Sequence, residues 1–287
     1  MKSAWLSFGL SLAMGVAPCL GAELGTVTVL EGPARLLRGP TWLKLAEGAR
    51  IQEGDLLEVG ARAQAQVELT DGGTLNLFGP AALYPVSVPL REGKLAGPAE
   101  FSMTGGWLKL AARAPRGGLR VRTALDTIAT ADAIAVVHAE TTADEVFVES
   151  GTAQLIEMGK GGEKAASHDA KGGEFWSRAA GEPFTPAARP PKTFAATLPR
   201  HFIDPLPSRA DRFRAAQVEL AVDRDVTYAE AKPWLAGPYR KAFLKRLQPR
   251  LKNAAFRNAV EVDIHAYPEW DRILHPEKYL PKGGEKR

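Results

Sequence analysis

The chain has 287 residues, 45% of them apolar and 24% charged, with a formal net charge of +4. Such a composition is globular rather than disordered, and the length allows one large domain or two ordinary ones. A single cysteine excludes an intramolecular disulfide framework and every zinc pattern built on several cysteines.

Residues 1–22 read MKSAWLSFGLSLAMGVAPCLGA. Lys2 is followed by an apolar run from Ala4 to Ala17 that is short of the ~20 residues needed to cross a bilayer. This is the pattern of a cleavable signal peptide, with small residues placed for cleavage after Gly21 or Ala22. Pro18 in front of Cys19 argues against a lipid anchor on that cysteine. The expectation is a periplasmic or secreted chain with no membrane span after cleavage.

From Leu24 to Arg178 the pattern is strand and turn. Thr26–Leu30 is β-branched and ends at Glu31-Gly32. Gln64–Thr70 alternates strictly, Asp71-Gly72-Gly73 follows, and Thr74–Phe78 alternates again, which predicts a β-hairpin. The alternation sends Gln64, Gln66 and Glu68 to an outer, solvated face. Glu145–Glu149 and Thr152–Ile156 around Ser150-Gly151 predict a second hairpin. Trp107–Leu110, Leu119–Thr123, Thr127–Thr130 and Ile134–His138 are short β-compatible runs between them. Strands at this spacing predict a sandwich or a barrel-like meander over residues 23–180.

Residues 181–207 hold seven of the 21 prolines. Proline has no amide donor and disfavours the helical region for its predecessor, so the segment reads as an extended linker. Residues 208–280 then switch to a helical period. Ser208-Arg-Ala-Asp211 reads as a capping box opening a helix to about Val222, with Phe213, Ala216 and Leu220 on one face. Thr227-Tyr-Ala-Glu230 is a second capping box, for a helix ending at Leu235. Tyr239, Phe243 and Leu247 form one apolar stripe, and Leu251, Ala255, Ala259 and Val262 another. Pro268-Glu269 can start a last short helix, and residues 281–287 read as a disordered tail. The predicted fold is thus a mainly β N-terminal domain followed by a small all-α C-terminal module.

Taken in order, the β motifs resemble the FecR-domain family. The matching residues are Gly25–Gly32, Gly54-Asp55 with Val59-Gly60, Ala65–Gly72 with Thr74–Leu77, Val121–Thr123, Ile134–Val137 and Val146–Gly151. The resemblance covers roughly residues 24–181. It implies a periplasmic β-domain that binds another protein or an envelope component. Regulators of that family carry a cytoplasmic helical segment and a membrane helix ahead of the β-domain, whereas this chain opens on a signal peptide. Direct control of a sigma factor is therefore not implied.

Catalytic motifs are absent from the sequence: there is no G-x-S-x-G, H-E-x-x-H, Walker loop or G-x-G-x-x-G. His138 ends an apolar strand and reads as a core or edge histidine. His265, Glu269, Asp271 and His275 have no spacing that fits a metal site, and Glu269 and Asp271 suit a helix N-terminus. Asp55, Glu58, Glu68 and Asp71 read as turn formers and a solvated face rather than paired catalytic acids. No cofactor or metal is expected.

Charge is uneven: residues 1–200 carry 20 Lys+Arg and 21 Asp+Glu, and residues 201–287 carry 17 and 12. Arg240, Lys241, Lys245, Arg246, Arg250 and Lys252 lie opposite the Tyr239/Phe243/Leu247 stripe, as a face for an anionic partner or as plain solvation. Trp42 and Trp107, near turns, are candidate aromatic contacts to a sugar or peptide, while Trp234 and Trp270 read as core. Export disfavours nucleic acid as a partner. The resulting expectation is a non-catalytic binding protein of the cell envelope, with a protein or an anionic polymer as partner. Its rivals are a signal-relay component and an enzyme acting on polysaccharide.

Overall fold

The computed structural model describes residues 23–91, 94–113, 118–159, 161–204, 206–216 and 218–279. The signal-peptide and C-terminal-tail readings fall outside them. The strands are β1 Glu23–Glu31, β2 Ala34–Arg38, β3 Thr41–Lys44, β4 Arg50–Gln52, β5 Leu56–Val59, β6 Gln64–Leu69, β7 Thr74–Phe78 and β8 Ala81–Ser87. A small hairpin, β9 Leu90–Arg91 with β10 Lys94–Leu95, precedes β11 Ala99–Met103, β12 Gly106–Ala111, β13 Leu119–Arg122 and the long β14 Asp126–Ala139 and β15 Ala143–Met158. Then come β16 Lys164–Lys171, β17 Phe175–Ala179, β18 Thr185–Ala187 and β19 Val222–Asp225. Helices are α1 Lys192–Thr197, α2 Arg200–Ile203, α3 Tyr228–Ala236, α4 Arg240–Leu247, α5 Ala254–Val262 and α6 Pro268–Leu274. The chain is mainly β to about residue 190 and mainly helical after it. None of the helices among the described residues is long and apolar enough to cross a membrane.

One hydrogen-bonded network folds over on itself to give two layers. The first runs β4–β1–β6–β7–β12, then the C-terminal half of β14, the N-terminal half of β15, β17 and β18. The second runs β19–β3–β2–β5–β8–β11–β13, then the other halves of β14 and β15, and β16. Only β11–β13 is parallel among these pairs. Alternation places Val67, Leu75, Leu77, Leu108, Leu110, Val137 and Val146 of the first layer against Leu36, Leu57, Leu83, Phe101, Val121 and Leu155 of the second, in one core.

The predicted β6–β7 hairpin forms, closed by Gly72 at φ 88 and by Gly73 N–H donating to Asp71. The predicted hairpin at Ser150-Gly151 does not. Residues Ala143–Met158 are one strand, and its pairing with β14 slips at Ala133–Ala135 opposite Val148–Gly151. Gly151 has φ 77, and a Cβ there would meet the Asp132 carbonyl at 2.1 Å. It is a bulge that bends the strand from one layer to the other. A Ser-Gly signal has the same local chemistry in a turn and in a bulge; only the partner strands tell them apart.

Each layer's outer face is covered by a later segment. Residues 181–207 are not an extended linker. Phe184 enters the main core, and Phe194 of α1 and Phe202 of α2 lie on Trp107, Val136 and Phe175 of the first layer. Lys109 holds this strap by donating to the Phe202 carbonyl and pairing with Glu149. Burial and the nearby Lys109 charge lower the His201 pKa to about 4, so the imidazole on α2 is neutral.

The helix predicted from Ser208 is also absent. Only a 3-10 turn, Ala210–Phe213, forms, and β19 follows as an added edge strand. Ser208 Oγ donates to Glu68 at 2.5 Å and the Arg209 amide donates to the same carboxylate at 2.6 Å, so the cap is spent on a strand instead. Glu68 is consequently only 7% exposed, not solvated. Burial opposes its ionisation, but the hydrogen bonds from Ser208, Arg209 and Thr28 outweigh that and hold its pKa below the usual range.

Helices α3–α6 pack on the second layer's outer face. Leu37, Trp42, Leu56 and Tyr84 of the strands join Trp234, Phe243, Leu247, Phe256 and Trp270 in a second core. The stripe Tyr239/Phe243/Leu247 faces it as predicted. On α5 the buried residues are Phe256 and Val260, while Val262 is exposed. The helix starts from an Asn253 cap, which sets that phase.

The Thr227 capping box forms in full, with Glu230 N–H donating to the threonine side chain and Thr227 N–H donating to Glu230. Thr227→Ala is expected to cost about 1 kcal/mol in chemical denaturation. Ser208→Gly, without a helix to cap, should act instead through Glu68.

Candidate functional site

The helices cover only part of the second layer's outer face. Beside them a groove of about 640 Å³ remains, within the size of ligand-binding clefts. Ala82, directly opposite Glu58 across β5 and β8, faces this groove; Ala34, Val59 and Ala81 border it but turn their side chains to the main core, and Pro33, Gly60, Pro80 and Gly105 complete the lining. On antiparallel β2 and β5, Arg35 lies directly opposite Glu58, so alternation sends both side chains to this face.

Arg35 is the hub of the groove. Its guanidinium lies 3.8 Å from the Trp42 ring centroid. Nε and Nη2 pair with Glu58 at 2.8 and 2.7 Å, and Nη1 pairs with Glu230 at 2.8 Å. Glu230 also receives Arg224 at 2.7 Å as well as its own cap. Arg224 first, then Thr227 and Arg35, hold the Glu230 carboxyl far below the ordinary carboxylate range despite partial burial. Glu230 is therefore ionised at any physiological pH. Lys44 and Asp223 line the same groove, are exposed, and make no ion pair among the described residues.

The aromatic contacts expected at Trp42 and Trp107 are corrected by the structure. Trp42 is 1% exposed, beneath Arg35 and within the helical core. Trp107 is 7% exposed, stacked on His138 at 4.1 Å and covered by Phe194 at 5.1 Å. A tryptophan near a turn is open only if no later segment lies on it, and here two later segments do. His138, read as a core or edge histidine, is an interior one: its strand is paired on both sides, by β12 and β15, and its Nδ1 lies 2.9 Å from Glu145.

The six basic residues are not one face. Lys241, Lys245 and Lys252 are exposed. Lys241 and Lys245 flank a cleft of about 280 Å³ between α4 and α6, floored by Leu244, Trp270 and Ile273. Arg240 pairs with Glu269 at 2.7 Å, which gives that acid an ion-pair role as well as a place in the first turn of α6. Arg246 turns inward over Tyr84 and Phe243, at 5.3 and 4.8 Å from their ring centroids, and burial lowers its pKa. Arg250 pairs with Asp225 and donates to the Val226 carbonyl. Helical spacing gave the packed side of α4, but not that Arg246 joins it or that acidic partners take up Arg240 and Arg250.

Asp55 is likewise no solvated turn former; it is buried and bound by Arg38 at 2.6 Å. Sequence reasoning saw Glu230 as a cap but missed Arg35 and the pairing of the two, 195 residues apart, because nothing local announces the pair. It also missed the buried Asp126, Asp144 and Arg178. Among the described residues no three His, Cys, Asp or Glu side chains converge as a metal-ligand set.

No family profile and no curated protein matches the chain. Among solved structures it is similar to two crystal structures described as "a putative anti-sigma factor from Parabacteroides distasonis", at 2.50 and 1.65 Å resolution. Identity is 16% in both, with TM-scores of 0.41 and 0.40. The likeness covers 50% of this chain and 63% and 64% of those chains. The chain thus spans less than two thirds of the structures it matches.

Proposed function

We propose that this protein is a non-catalytic binding module of the bacterial cell envelope, and that the groove beside α3 takes an extended segment of a protein partner. The carrying observation is the groove itself: Ala82, prolines and glycines set among charged side chains, with one free cation and one free anion, Lys44 and Asp223, among its described charges. Such a surface suits a polypeptide, which supplies apolar side chains and charges of both signs. Sugars and single-stranded polymers are held largely by open aromatic faces. The nearest such face, Trp42, is occupied by Arg35. The signal-like residues 1–22 support the envelope setting.

A photo-crosslinking residue at Ala82 should capture a discrete protein in intact cells, and the same residue at Lys171, on edge strand β16, should not. Ala82→Arg, which fills the groove, should lower capture from a crosslinker at Lys44 at least tenfold. Equal capture from the groove and from Lys171 would defeat the reading. Retention of the pure protein on anionic polymer, abolished by Lys241→Glu with Lys245→Glu, would favour the polymer partner.

A second reading, relay of a signal, has one specific observation behind it. Arg35 touches the groove and also Glu230, the residue that caps α3. A carboxylate entering the groove would compete with Glu230 for Arg35 and so act on the start of the helical part.

A further inference from the structure

Where β14, β15 and β17 meet, the fold buries two carboxyl groups against one guanidinium. Asp126 opens β14, and Asp144 sits near the start of β15 opposite Arg178 of β17. Both aspartates are 0% exposed and Arg178 is 8% exposed. Arg178 Nη1 donates to Asp126 Oδ1 and to the Leu125 carbonyl, and Nε donates to the Glu182 carbonyl. Thr123 Oγ1 donates to Asp144 Oδ2. Each carboxyl is left with one fully buried oxygen that has no partner, Asp126 Oδ2 and Asp144 Oδ1.

Among the described residues, the other charges facing the pair do not supply a second cation. Glu157 of β15 is acidic and is itself occupied by the Phe184 amide and by His168 of β16. His138, Glu140 and Glu145 lie on the outer side, lining a cleft next to Asp144 and Arg178. Two ionised carboxylates beside one arginine would leave a buried net charge and two unsatisfied acceptors, which is costly in a low-dielectric interior. One proton removes both defects, because a protonated carboxyl is a donor.

We propose that Asp126 and Asp144 share a single proton, and that this proton fastens β17, and through it the strap that follows, to the body of the β-fold. Asp144 carries it. Burial first, and then the charge and hydrogen bond of Asp126 working against the Thr123 hydrogen bond, push its pKa up to about 8. Burial raises Asp126 as well, offset first by the hydrogen bond with Asp144 and then by Arg178. The pair titrates as a unit. The strap begins within a few residues of Arg178 and places Phe184 in the main core and Phe194 and Phe202 on the first layer. Loss of the proton therefore loosens the closure of both.

An unfolded aspartate titrates near pH 4. Between about pH 4 and pH 8 the folded chain keeps a proton that the unfolded chain has lost. Stability then falls with rising pH across that window by one proton's slope and levels off above pH 8.

The test is Asp144→Asn. The asparagine amide donates to Asp126 and its carbonyl accepts from Thr123, so the geometry survives without the proton. The Tm of the wild-type protein relative to the variant should drop by about 3 °C per pH unit from pH 5 to 8 and flatten above. In the wild-type protein alone, infrared spectra should show the carbonyl band of a buried protonated carboxyl at pH 7 that fades by pH 9.5. Parallel Tm profiles for the two proteins, or no such band, would overturn the proposal. So would a Tm that rises with added calcium or sodium and loses that response in Asp144→Asn, since a cation would then occupy the orphan oxygens.

Discussion

Phe243→Ala is expected to cost about 3–5 kcal/mol, the range for removing a large aromatic side chain from a packed core. Phe243 is fully buried at the centre of the contact between helices and strands. Its ring lies 5.2 Å from that of Trp234 on α3, nearly parallel, and 5.0 Å from that of Tyr84 on β8. Arg246 rests on the same ring. The truncation therefore opens a cavity touching both bodies and withdraws the support of a half-buried guanidinium. Calorimetry should show a Tm lower by roughly 10 °C. Limited proteolysis should cut first within residues 226–279, because α3–α6 rely on this contact while the main β core does not include it. Lys241→Ala, on the exposed side of the same helix, should shift Tm by less than a degree. A Phe243→Ala protein as stable as the parent would mean that the helices hold together without the sheet.

Arg178→Met should be comparably damaging, about 3–5 kcal/mol, because it strands a buried charge rather than merely removing a contact. Methionine fills much of the arginine's volume, so the loss reports charge and hydrogen bonding. Asp126 would lose its cation partner, and the Leu125 and Glu182 carbonyls would lose their donors. The loss should be larger at pH 8 than at pH 5: acid supplies protons that neutralise the stranded carboxyls in the folded state. Denaturant titrations at the two pH values measure the difference. A loss independent of pH would show that Arg178 serves packing alone.

Much of the strand pattern was legible because it is a local property. Ala65, Val67 and Leu69 alternate with polar residues and are followed by Asp-Gly, and that alone predicts the hairpin that forms. The Thr227–Glu230 box was legible for the same reason, since its two hydrogen bonds close within four residues. Ser208-Arg-Ala-Asp211 shows the limit of that logic. It has the same local form, yet its hydroxyl and the next amide found Glu68, 140 and 141 residues away. The prolines of 181–207 correctly forbade a long helix. They said nothing about Phe184, Phe194 and Phe202, whose burial offsets the cost of ordering the segment.

The candidate groove was hardly legible at all. Its lining comes from β2, β5 and β8, and its existence depends on where α3–α6 stop covering the sheet. In the sequence Arg35 is one arginine among many, and only the fold surrounds it with Trp42, Glu58 and Glu230.

By itself the sequence determined the order of β and helical parts, the hairpin at Asp71-Gly72, the Thr227 cap and the inward stripe of α4, all set by backbone period and capping within a few residues. The tertiary structure alone decided which outer faces are covered, which tryptophans are closed, which arginines turn inward and where two aspartates must share what one arginine cannot supply. Burial and pairing of this kind join segments far apart in the chain, 52 residues for Arg178 and Asp126 and 195 for Arg35 and Glu230, and no local pattern encodes the surface on which a later segment comes to rest.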